Sequence, residues 1–147
     1  MTLTILVGLA LSGAAVSADR PAVHTAAVPH SEGTANATYH ARSKVAAHDV
    51  IVRPGTVLCR WEAKVGLTRE VSRSNGAAVP ALSKAVGDAR EIGGVEQTRC
   101  SEAKARIASA VDRHVNARSA AMTVAAQEDH SLLLAELGAP KSAVSGS

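Results

Sequence analysis

The chain has 147 residues and a formal net charge of +3, with no Phe, one Trp and one Tyr. That length bounds it to one domain, and so few aromatics leave Val, Leu, Ile and Ala to build the core. Sixteen Lys and Arg interleave with thirteen Asp and Glu, without the one-sided basic cluster and stacking aromatics of a nucleic-acid binder, so no nucleic-acid partner is expected.

Residues 1–18 read as a secretory signal peptide. Leu3 to Val16 is apolar or small throughout, which suits a signal core and is too short for a membrane span of about 20 residues. Val16-Ser17-Ala18 puts small residues at the positions before a cleavage at Asp19. No Lys or Arg precedes the apolar run, so only the terminal amine supplies its positive charge. The expected location is periplasmic or extracellular, with no transmembrane span after cleavage.

Residues 19–47 hold three Val, no Leu or Ile, and Pro at 21 and 29. That composition buries too little apolar surface to offset an ordering entropy of about 1–2 kcal/mol per residue, which predicts a flexible, disordered leader. Four histidines, His24, His30, His40 and His48, lie in or beside it. Imidazole is a good ligand for Zn, Cu or Ni, so a metal-handling arm is one reading. Their spacing suits no compact site, and solvated linker histidines are the plainer reading.

The foldable part is then residues 48–138, and Ala, about a fifth of the chain, argues for helices. The expected fold is mostly α, a small helical hairpin or three-helix bundle, with a possible short β-hairpin near 49–61. Two readings compete after Arg53-Pro54-Gly55. In one, Pro54-Gly55 turns the chain and Val57, Cys59 and Trp61 share a strand face. In the other, Thr56 caps a helix to about Arg73, with Leu58, Trp61, Val65 and Thr68 as its stripe. The helix formers from Glu62 to Ser72 favour the second. Ser74-Asn75-Gly76 ends the segment.

A second helix is expected from Pro80, with Leu82, Ala85, Val86, Ala89 and Ile92 as its stripe and Gly93-Gly94 as its stop. The last helix is the longest. Ser101 is the expected N-cap, and Ile107, Val111, Val115, Met122 and Ala125 form the seam. Gln127 to Ser131 reads as a polar interruption, with a separate short helix over Leu132–Leu137. Gly138 and Pro140 close it, and residues 139–147 read as a disordered tail.

Cys59 and Cys100 are the only cysteines. In an exported chain two cysteines pair, closing a loop of about 40 residues worth about 4 kcal/mol. His114 stands two residues from Asp112, a spacing that does not bring side chains together on a helix. No nucleophile elbow, zinc spacing or phosphate-binding loop is present, and no cofactor is expected. The sequence therefore favours a non-enzymatic binding or envelope-associated module acting through an apolar helix face. Met122, Leu132, Leu133 and Leu137 are its expected contact residues, and another macromolecule or a second copy its partner. Metal or ligand handling by the leader is the alternative, and a minor hydrolase a distant third.

Overall fold

A computed structural model describes residues 20–31 and 33–138. The signal reading of residues 1–18 and the tail reading of 139–147 fall outside them. Four antiparallel strands form a meander, β1 (His24–His30), β2 (Gly33–Arg53), β3 (Thr56–Arg73) and β4 (Lys84–Glu96), in the order β1-β2-β3-β4. A single 3-10 turn, Pro80–Leu82, precedes β4. Two helices follow, α1 (Cys100–Ala117) and α2 (Ser119–Gly138). Both pack on one face of the sheet, and α2 touches all four strands.

The fold is thus mainly β, which corrects the expectation of a helical hairpin or three-helix bundle. Residues 24–47, expected to be a disordered leader, form β1 and most of β2. The residues read as helices one and two are β3 and β4. Alternation explains the outcome. Along β3 the residues Cys59, Trp61, Ala63, Val65, Leu67 and Val71 are buried, and Arg60, Glu62, Lys64 and Glu70 between them are exposed. Such a period of two can bury one face only in a strand. Along β2 the buried positions are Ala35, Ala37, Tyr39 and Ala41. Small inward side chains let the helices approach the sheet closely, so good helix formers are overridden by the surface on which they pack.

The hairpin between β2 and β3 turns at Pro54-Gly55. Pro54 pre-sets its own φ, and Gly55 takes φ +80°, which a side chain would oppose. Near the end of β4, Gly94 lies opposite Trp61. A Cβ there would meet the indole Nε1 at 3.0 Å, so the glycine that reads as a helix stop is the seat of the only Trp.

The long C-terminal helix is present with Ile107, Val111, Val115 and Met122 of its expected seam buried; Ala103 and Ala126 also enter the core, while the expected Ala125 is only half-buried. Its break lies at Arg118, with φ −104° and ψ 4°, and not at Gln127–Ser131, which is helical. Leu132–Leu137 is the end of α2, not a separate helix. The N-cap of α1 is Arg99, with no side-chain cap from Ser101. Instead the Cys100 N–H donates to Asp49 Oδ1 at 2.7 Å, placing a carboxylate at the positive end of the helix.

Candidate binding surface

One row across the inner face of the sheet is polar. The register aligns His24 of β1 with Tyr39 of β2, Tyr39 with Arg69 of β3, and Arg69 with Lys84 of β4. Helix α2 crosses this row and lowers Asp129 onto it. Asp129 Oδ2 accepts from the Tyr39 hydroxyl at 2.9 Å and from Arg69 Nη1 at 2.6 Å. Arg69 Nε donates to the Leu82 carbonyl at 2.7 Å. Beside them His130 Nε2 lies 3.1 Å from the Ala27 carbonyl, and its ring stands edge-on to His24.

The row is closed. Tyr39 is fully buried, and the Arg69 side chain is 4% exposed. Burial, followed by the hydrogen bond to Asp129 and the charge of that carboxylate, pushes the Tyr39 hydroxyl up to about 12. A phenol so held, with its oxygen already committed to Asp129, is a poor proton donor to any substrate. The arrangement instead clamps α2 to the sheet: a buried cation needs a partner, and Asp129 supplies it from the helix. Only the Arg69 half of this clamp had a signal in the sequence, since Arg69 interrupts the alternating apolar series between Leu67 and Val71.

The four leader histidines are spread over the sheet. His24 faces inward beside Tyr39, while His40, the next residue along β2 from Tyr39, points to the opposite face. His30 stands six residues from His24 and His48 eight from His40, which at about 3.3 Å per residue puts them about 20 and 26 Å apart along their strands. The fold does not bring these four to one ion. Among the described residues the only grouping with metal-ligand proximity is Asp49, Cys59 and Cys100. Its two sulfurs are joined in the Cys59–Cys100 disulfide, with Cα atoms 4.8 Å apart. His114 is half-buried on α1, and Asp112 pairs with Arg20 instead, at 2.5 Å.

The four expected contact residues on α2 divide. Met122 and Leu133 enter the core, and Leu132 and Leu137 remain exposed. The outward stripe of the helix runs through Ala121, Val124, Glu128, Leu132 and Ala135, all exposed and spaced by three or four. Leu132 is 70% exposed and Val124 52%. Helix α2 therefore buries Met122, Ala126 and Leu133 toward the sheet and leaves Val124 and Leu132 in solvent on its other side, where Gln127, Glu128 and Ser131 are also exposed. No protein-family model, curated protein or solved structure matches this chain.

Proposed function

We propose that the protein is an exported, non-enzymatic binding module that engages a partner protein through the outward stripe of α2. The observation that carries this reading is the double-sided helix. Asp129 and Leu133 fix α2 on the sheet, and Val124 and Leu132 stand in solvent on its other side. A surface helix with only one face to bury normally carries charged residues outside. The single charge on this stripe, Glu128, selects the partner. Two copies packed antiparallel about the middle of the stripe would set Glu128 against Glu128, so the fitting occupant is an apolar face with a cation opposite it. Export is supported by the apolar segment at Leu3–Val16 and by the disulfide, which persists in oxidising compartments. Among the described residues no helix is long and apolar enough to cross a membrane.

The test uses the full chain expressed with its leading segment, carrying a photo-crosslinking residue in place of Ala135. The expected result is N-terminal sequence beginning at Asp19 and a discrete hetero-adduct that Leu132→Glu abolishes with little change in thermal stability. Retention of Met1 on the released protein would overturn export. An adduct with a second copy, or an adduct indifferent to Leu132→Glu, would overturn the surface.

A further inference from the structure

Strand β2 is much longer than its neighbour on one side. Strand β1 pairs with it only from Gly33 to Tyr39, and Arg20 reaches as far as Ser43, whose hydroxyl accepts from its guanidinium at 3.0 Å. From Lys44 to Arg53 no described residue pairs with β2 on that side, although β3 pairs with it on the other. The side on which polar groups lie open follows from one bond. The Tyr39 carbonyl accepts from the Val23 N–H at 2.8 Å, so Tyr39 points its backbone groups toward β1. Backbone groups alternate sides along a strand. Hence Val45, Ala47, Asp49 and Ile51 turn their N–H and C=O groups out of the sheet.

Such an edge is a template for another strand, and proteins normally blunt it with proline, inward-pointing charges or brevity. Here Val45-Ala46-Ala47 and Val50-Ile51-Val52 carry no proline and no charge, Ile51 is 75% exposed, and the one register shift falls at the far end, between Ile51 and Arg53. The charges stand at the two ends, Lys44 and Arg53. The one acid between them, Asp49, is engaged by the Cys100 N–H.

We propose that the Lys44–Arg53 edge of β2 is a β-addition site for an extended partner segment, apolar in its middle and acidic at both ends. Backbone pairing supplies the affinity and the flanking cations the selection. A second copy is the poorer occupant, because antiparallel pairing of two such edges about their middle brings Lys44 of each next to Arg53 of the other. The site is separate from the α2 stripe and stands whatever the outcome there.

The experiment uses the exported chain from Asp19 to Ser147 and two blocked ten-residue peptides of alternating Thr and Val, one ended by Glu and one by Lys. Amide exchange is followed by NMR. The Glu-ended peptide is expected to slow exchange at Val45, Ala47, Asp49 and Ile51 at least tenfold. Ala46, His48 and Val50, which face β3, should stay unchanged. The Lys-ended peptide should bind at least tenfold more weakly. Ala47→Pro, which removes an outward N–H and none from the β2–β3 ladder, should abolish binding while the melting temperature holds. If that variant does not fold, the two peptides on the unmodified chain decide the matter alone. Equal binding of both peptides would overturn the proposal. So would slow exchange at these amides without peptide, or protection that tracks self-association.

Discussion

Arg69 of β3 and Asp129 of α2 are sixty residues apart in the chain and 2.6 Å apart in the fold. Their side chains are 4% and 12% exposed, so neither charge is well served by water once the other is removed. Removing one partner of a buried pair costs about 3–5 kcal/mol, whereas replacing both with apolar groups is far milder. Asp129→Ala should therefore lower stability by about that amount, since it also strips the Tyr39 hydroxyl of its acceptor. Arg69→Met/Asp129→Leu together should cost much less than the sum of the single changes. A double-mutant cycle in urea should show a coupling of about 2 kcal/mol or more. Simple additivity would show that the pair does not clamp the helix.

Tyr39 makes the same cluster sensitive to alkali. Its hydroxyl has an ordinary value of 10.0 and is pushed up to about 12 in the fold. Below pH 10 the phenol is protonated in both folded and unfolded chains, and contributes no pH dependence. Between pH 10 and 12 the unfolded chain releases the proton and the folded one retains it, so stability falls as pH rises, by about 2–3 kcal/mol in all. The chain has one Tyr, so absorbance at the phenolate band reads this group alone. A step near pH 12, or an earlier one coincident with unfolding, is expected. A step near pH 10 in protein that is still folded would contradict the buried geometry. Tyr39→Phe should remove this contribution to the alkaline loss.

The helical region from Cys100 onward was legible because its signal is redundant. Ala103, Ile107, Val111 and Val115 repeat every four residues, and all are buried. Apart from the Pro54-Gly55 hairpin, where Val57, Cys59 and Trp61 share a strand face as one of the two readings had it, the sheet was not legible, because its inward positions are filled with residues that do not advertise a strand. On β2 the buried series is Ala, Ala, Tyr, Ala, and counting Leu and Ile alone makes that stretch look unable to fold. On β3 the exposed partners Glu62, Lys64 and Glu70 are helix formers, which masked the alternation of Cys59, Trp61, Ala63, Val65 and Leu67. The pairing of Cys59 with Cys100 was legible from their number and the expectation of export. The clamp was not, since Asp129 looks like part of a polar break until α2 is laid across Tyr39 and Arg69. The outward stripe was legible in part. Leu132 was named for it, but Leu133 belongs to the core, because one residue along a helix turns the side chain by about 100°.

The Cys59–Cys100 disulfide ties the first residue of α1 to the inner face of β3. Cys59 is fully buried, so a reductant reaches the bond only from the Cys100 side or through opening of the helix start. Besides the burial of Ala103 and Ile107, that end of α1 is held by the disulfide, the bond from the Cys100 N–H to Asp49, the Arg106–Thr98 bond, the bonds from the Glu102 and Ala103 N–H groups to the Arg99 carbonyl, and the Arg106–Glu96 pair at 3.0 Å. The bonds of Asp49, Thr98 and Glu96 lie at the surface and contribute little by themselves, the ion pair about 0–1 kcal/mol. Helix α2 has its own attachment through Asp129. Reduction should therefore act in two ways. Global stability in urea should drop by about 4 kcal/mol, the chain-entropy value for a loop of this length. Locally, amide exchange should accelerate first in the opening turns of α1, from Cys100 to about Ile107, while the amides around Asp129 keep their protection until global unfolding. Cys59→Ala/Cys100→Ala should reproduce both effects. The double variant losing protection evenly over α1 and α2 would mean that the helices are held as one unit and that the Asp129 clamp adds no independent attachment. Two alkylatable thiols in the folded protein would remove the disulfide from the account altogether.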